Sequence, residues 1–178
     1  MLKTFEPVKQ DPEPIPNRVA ASKLITFDLE DHYPKGKRVF LDIKEWLHEG
    51  IVLKEKEFRN FAEFHSWDQY QDAHVALGCS SDAIVPGWAY MLVATKLQPF
   101  ALTMVLGDLE NLESHLYRDA IENLDLSFFQ DKMVIIKGCS KKPVPSNAYL
   151  WITARLKPIA KSLMYGEACS AVPLYKKR

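Results

Sequence analysis

The feature that most constrains this chain is a stretch that occurs twice. Gly78, Cys79, Ser80, Val85, Pro86, Ala89, Tyr90, Leu97, Pro99, Ala101 and Gly107 recur in order as Gly138, Cys139, Ser140, Val144, Pro145, Ala148, Tyr149, Leu156, Pro158, Ala160 and Gly166, once one residue is skipped. Gln71 and Asp72 recur as Gln130 and Asp131. Self-similarity of this length marks one supersecondary unit used twice, here over about 71–108 and 130–167. A shorter echo, Cys169-Ser170 followed by Val172-Pro173, stands near the end, so all three cysteines occur as Cys-Ser.

Within each copy, an apolar run without helical period is followed by a helix that proline opens, then by a second apolar run. Ala73 to Gly78, Pro86 to Leu97 and Leu102 to Leu106 read as strand, helix, strand, and Lys132 to Lys137, Pro145 to Leu156 and Ser162 to Tyr165 read the same way. Between the copies, Leu109 to Leu124 carries Leu109, Leu112, Leu116, Ala120, Ile121 and Leu124 at helical spacing. Upstream, the run from Leu24 through His32 reads as a strand that Tyr33-Pro34-Lys35-Gly36 ends, and Arg38 to Leu41 reads as a second. Asp42 can cap a short helix through Leu47, which Gly50 closes, and about Lys54 to His65 forms another with Phe58, Phe61, Ala62 and His65 on one stripe. Strands joined by helices of this length pair parallel, with right-handed crossovers. The expected class is α/β: a mostly parallel sheet with helices packed on it, an internal strand-helix-strand duplication and an N-terminal strand pair.

At 178 residues the chain suits one domain, read as 17–178, and Pro7, Pro12, Pro14 and Pro16 beside Glu6, Asp11 and Glu13 make 1–16 a loose arm. Lys plus Arg (23) balance Asp plus Glu (23), so no global field draws in nucleic acid or an anionic membrane, and the three terminal charges Lys176, Lys177 and Arg178 are too few to change that. No run approaches the ~18 apolar residues of a membrane span, and Met1 to Pro16 lacks a secretory pattern, so a cytoplasmic protein with reduced thiols is expected.

Those thiols carry the chemistry. Cys79 and Cys139 end strands just ahead of helices, on the carboxyl edge where open α/β folds bind ligands, and a thiolate near a helix N-terminus is stabilised. Lys137, Lys141 and Lys142 flank Cys139 and favour its thiolate, whereas Asp82 beside Cys79 opposes it, so Cys139 is the candidate nucleophile. Asp108 and Glu167 follow the glycines at the other strand ends, so Cys79, Cys139, Cys169, Asp108 and Glu167 form a candidate metal set for zinc or an iron–sulfur cluster, although no paired-cysteine zinc signature is present. Against this stands the packing reading, since free cysteine is among the most buried residue types. Asp28, Glu30 and His32 alternate along the first strand and suit a solvated face better than a cation site, with Ile25, Phe27 and Leu29 inward. Tyr90 and Tyr149 read as core, and no glycine-rich phosphate loop, nucleophile elbow or zincin motif occurs.

The chain resembles a bacterial family known as domain of unknown function 2480. The likeness runs from about Pro16 to Lys177 and rests on Leu24-Ile25-Thr26-Phe27-Asp28-Leu29-Glu30-Asp31, on Cys79-Ser80 with Asp82-Ala83-Ile84-Val85-Pro86 and Trp88-Ala89-Tyr90-Met91, on Lys137 to Pro145, and on Tyr165-Gly166-Glu167 with Cys169-Ser170 and Val172 to Lys176. The resemblance implies no assigned activity. It does imply encoding beside iron–sulfur assembly genes, and so partners among iron–sulfur assembly proteins.

Three functions are therefore expected in competition: a cysteine-dependent metal or iron–sulfur binding accessory protein; a thiol nucleophile or persulfide carrier centred on Cys139; and an interaction module, a homodimer through an exposed helix or edge strand, whose cysteines only pack.

Overall fold

Val75, Leu77, Val134 and Ile136 occupy one face of the two strands that carry the longest apolar runs, and all four are buried because each strand is flanked on both sides and roofed by helices. A computed structural model describes residues 24–138 and 141–178. Its strands are β1 (Leu24–Asp28), β2 (Lys37–Asp42), β3 (Ala73–Gly78), β4 (Thr103–Leu106), β5 (Met133–Lys137), β6 (Ser162–Tyr165) and β7 (Val172–Lys176). Its α-helices are α1 (Glu55–Phe64), α2 (Gly87–Leu97), α3 (Leu109–Glu122) and α4 (Ser146–Leu156).

The α/β class holds, with the parallel strands divided between two sheets, β1-β5-β6-β7 and β2-β3-β4. Every pairing is parallel except β6 with β7. Of the two N-terminal strands, β1 leads the first sheet and β2 the second, pairing with the inner strands β5 and β3 respectively.

Three cores follow from the periodicities. Leu41, Val75 and Leu77 pack with Phe58 and Ala62 of α1 and with Ala89, Val93 and Leu97 of α2. Phe27, Val134, Ile136 and Leu163 pack with Ala148, Ile152 and Leu156 of α4. Helix α3 serves both sheets: Leu112 and Leu116 cover Ala76 of β3, while Tyr117 and Ile121 enter the second core. That double duty explains its broad apolar stripe. Leu109, expected inward, is instead exposed at the first helical position beyond the cap.

The two sheets are built alike. Asp72 and Asp131 both take a left-handed backbone, φ 55° and 54°, and their N–H groups donate to Phe100 O (3.0 Å) and Ile159 O (2.9 Å). Gly107 donates to Leu77 O (2.9 Å) and Gly166 to Ile136 O (3.0 Å). These bonds make Leu77 the counterpart of Ile136, and hence Gly78 the counterpart of Lys137. The two matching glycines are thus one residue out of step at the sheet edge: Gly78 ends β3, whereas Gly138 follows the last residue of β5.

The likeness reaches further upstream than the repeat read from the sequence. Asp28 ends β1 and accepts from Glu30 N–H at 3.0 Å; Asp42 ends β2 and accepts from Lys44 N–H at 3.0 Å. Each caps one 3-10 turn, Leu29–His32 and Ile43–Trp46. The expected long first strand therefore stops at Asp28, and Asp28, Glu30 and His32 do not share a strand face. The carboxylate at position 28 wins the local backbone N–H groups away from the ladder. Glu30 is buried and His32 stacks on Phe27 (4.8 Å between centroids). The expected helix 44–47 is this second 3-10 turn, and Gly50 follows at φ 72°. On α1, Phe61 lies outside the apolar stripe and is exposed. β7 was not anticipated. Its alternation is broken by Pro173 and shifted by an irregularity at Leu163/Met164, so the period-2 signal is lost. The arm 1–16 lies outside the described residues.

Candidate functional site

The loops that follow β3 and β5 are each tied to the neighbouring strand, or to the turn after it, by a carboxylate. After β3, Asp42 Oδ1 accepts from Ser80 N–H at 3.0 Å, which holds the loop against the neighbouring strand. Desolvation is the largest single influence and would raise the pKa of that carboxylate, but hydrogen bonds from Ser80 and Lys44, with the Lys44 charge, together outweigh it and hold the group below its usual range. Cys79 is half-buried, packs at the margin of the first core, and has its Sγ 3.2 Å from Ser81 Oγ. After β5, Glu30 Oε1 accepts from Lys141 N–H at 2.8 Å, an analogous tie from the neighbouring strand's turn. Cys139 lies outside the described residues.

Two of the three lysines expected to favour a thiolate at Cys139 have other partners. Lys137 Nζ lies 3.1 Å from Asp28 Oδ2, which raises its pKa, and Lys142 Nζ donates to Glu30 O at 2.9 Å and sits over the Tyr33 ring. Asp108 spends its carboxylate on the capping box of α3, accepting from Asn111 N–H at 2.9 Å while Asn111 Oδ1 accepts from Asp108 N–H. Glu167 is exposed, 4.0 Å from Lys137 Nζ, and Cys169 is exposed in the turn that follows. Cys79 and Asp108 belong to the three-stranded sheet, whereas Glu167 and Cys169 follow β6 of the other. Among the described residues, no three histidine, cysteine, aspartate or glutamate side chains gather into a group able to hold a metal ion.

A polar joint ties the halves together. Arg38 of β2 makes a two-pronged pair with Glu113 of α3 (2.6 and 3.2 Å), donates to Gly36 O at 2.7 Å and lies 4.5 Å from the Tyr33 ring centroid. Tyr117 Oη donates to Leu29 O (3.4 Å), and burial, with Glu113 second, pushes its phenol well above the usual range. A cleft of about 490 Å³ opens beside this joint between Leu109, Glu113 and Pro143-Val144-Pro145. Every charged atom of the joint is already paired within the chain, which makes it a brace.

The surface that stands out is apolar and occurs twice. A groove of about 280 Å³ between α2 and β4 is lined by Leu77, Tyr90, Met91, Ala94 and Leu106. A groove of about 490 Å³ between α4 and β6 is lined at the matching places by Ile136, Tyr149, Leu150, Thr153 and Tyr165. Met91 is 71% exposed, Leu106 64% and Leu150 68%, although each sits beside a buried neighbour where a polar residue would serve a solvated surface equally well. The grooves differ in one respect. β7 runs along the outer edge of β6 and sets Leu174 at the second groove, whereas the outer edge of β4 pairs with no described strand. The sequence does carry a signal for this surface: residues 90 and 149, and 91 and 150, are large and apolar in both copies, and Tyr90 and Tyr149 pack against the two cores, as expected, while also lining the grooves.

A family model described as protein of unknown function (DUF2480) matches residues 13–177. No curated protein and no solved structure matches the chain.

Proposed function

The chain belongs to that family, and we propose that it is an interaction module that receives another polypeptide on the α2/β4 groove and the open edge of β4. The observation that carries this reading is the contrast between two like sheets: the β6 edge is covered by an antiparallel strand, whereas among the described residues no strand pairs with the outer edge of β4, beside exposed Met91 and Leu106. An open edge with an adjacent apolar groove is the arrangement used in β-strand addition, where main-chain bonds give affinity and side-chain pockets give selectivity. On this reading Cys79 is a packing residue at the margin of the core, and the three thiols are dispensable for the interaction.

The test places a photocrosslinking amino acid at Met91, at Leu106 or, as control, at exposed Glu122, in a Cys79→Ser/Cys139→Ser/Cys169→Ser chain expressed in its own cells. Adducts to one defined polypeptide from positions 91 and 106, absent from 122, are expected. No adduct, or the same adducts from all three positions, refutes the reading.

A second reading keeps the thiols, and the contact between Cys79 Sγ and Ser81 Oγ at a strand-end loop is what favours it. A zinc or iron–sulfur accessory role needs that loop and the one after β5 to supply ligands together, whereas a persulfide carrier role needs only Cys139. Anaerobic purification followed by zinc, iron and acid-labile sulfide analysis decides it: stoichiometric metal lost in Cys139→Ser supports the accessory role. A thiolate titrating well below the ordinary thiol value of about 8.5 supports the carrier role.

A further inference from the structure

We infer that the β4 edge selects an extended segment of the form apolar-x-x-Lys, running antiparallel to β4, with the apolar side chain in the α2/β4 groove and the lysine on Asp72. The inference rests on the interaction reading above and adds the chemistry of the partner.

The template lies in the same chain. β7 runs antiparallel along β6, pairing Ser162 with Lys176 and Leu163 with Tyr175, and Leu174 borders the α4/β6 groove. One step further, Lys177 N–H donates to Lys161 O at 2.9 Å and Lys177 Nζ reaches Asp131 Oδ1 at 3.1 Å. Leu174 and Lys177 thus engage the sheet as an apolar residue and a lysine three positions on. Asp131 is held at that spot by a left-handed backbone and by Gln130 Nε2 at 3.1 Å.

Every receiving element is present again at β4. Asp72 has the same left-handed backbone, the same kind of tether from Gln71 Nε2 (3.0 Å) and an N–H bonded to the same place in its helix-to-strand loop. Thr103 and Leu106 stand where Ser162 and Tyr165 stand, and the groove has the matching lining. Among the described residues no lysine or arginine reaches Asp72; its side chain meets Gln71 alone. An exposed carboxylate fixed at the end of a strand edge that no described strand pairs with, with an apolar groove at the other end, is complementary to one cation and one apolar side chain in that order. A peptide does not need to displace β7 to bind, because β7 is tethered and holds its own edge at an effective concentration in the millimolar range.

The probe is the acetylated octapeptide of residues 171–178, Ala-Val-Pro-Leu-Tyr-Lys-Lys-Arg, titrated into the full-length protein while backbone amide shifts are followed. Shifts at 103–106, Ala94 and Asp72, with none at 162–165, are expected. Replacing the leucine of the peptide by alanine should weaken binding about tenfold or more. Replacing the lysine that corresponds to Lys177 by alanine should weaken it about two- to fivefold, the range of an exposed ion pair. Asp72→Asn, which tolerates the left-handed backbone, should give the same loss, and the two changes together should add nothing further. The exposed groove variant Leu106→Lys should abolish the shifts while the protein stays folded.

Shifts confined to 162–165, or binding indifferent to Asp72→Asn, overturn the inference. So do 103–106 shifts that appear on raising the protein concentration without peptide, since a second copy then covers the edge. Failure of the peptide alongside position-specific crosslinks at 91 and 106 would remove the lysine rule and leave the interaction reading standing.

Discussion

Removing Arg38 should cost far more than removing Arg38 together with Glu113. Both side chains are nearly buried, at 13% and 14% exposure, and the pair joins β2 to α3. In Arg38→Met three things are lost: the bond to Gly36 O, worth about 1 kcal/mol; the contact over Tyr33, about 0.5–1 kcal/mol; and the partner of a sequestered carboxylate. Leaving Glu113 unpaired adds about 2 kcal/mol or more. The single variant should therefore lose about 4 kcal/mol. In Arg38→Met/Glu113→Leu the stranded charge is gone, and the loss should fall to about 2 kcal/mol, a coupling of about 2 kcal/mol. Urea denaturation followed by fluorescence of the four tryptophans reads both, and at this length the single variant should also melt about 8–16 °C lower. If the double variant is as unstable as the single, or the single loses less than about 1 kcal/mol, the joint is not a brace between the halves and the argument fails.

Three further outcomes are expected. Gly107→Ala places a methyl group 2.3 Å from Asn111 Oδ1 at φ 133°, so it should break the α3 capping box as well as strain the backbone, lowering the urea midpoint by more than Asp108→Ala, which costs about 1 kcal/mol through the cap alone. Burial holds His32 and His65 below the ordinary histidine value of 6.5. For His32 the nearby Asp31 and Asp28 oppose the effect without reversing it. The unfolded chain then binds protons first, so stability is complete above pH 6.5 and declines as the pH falls from there through the lower folded values. Midpoints measured between pH 8 and pH 5.5 should show that slope, shallower in His65→Gln, and a rise on acidification would contradict it. In a Cys139→Ser chain, exposed Cys169 should react with an aromatic disulfide reagent much faster than half-buried Cys79; equal rates would show that the loop after β3 opens freely.

Apart from β7, the strands and helices were legible in the residues from 70 onward because their signals are local. Val-Pro opens α2 and α4, Gly-acid opens α3, and aspartates take the left-handed turn before β3 and before β5. The upstream half was less legible. Asp28 and Asp42 terminate their strands by capturing backbone N–H groups, and a run such as Leu24 to His32 looks like one extended strand until that competition is resolved. The candidate thiol set illustrates the same limit. Repetition of Cys-Ser draws attention to strand ends, yet it does not reveal that Gly78 and Gly138 sit one residue apart in hydrogen-bonding register, or that Cys79 and Cys169 follow strands of different sheets.

Taken alone, the chain's order of residues determined that it would be α/β with parallel strands and two like strand-helix-strand units, because propensity, capping and short-range periodicity act over a few neighbours. Only the tertiary structure decided that these units form separate sheets with α3 between them, that β7 closes one edge, and that no described strand closes the outer edge of β4. Which strand edge finds which partner depends on backbone hydrogen bonds and apolar faces meeting across long stretches of chain, and no local pattern records that choice.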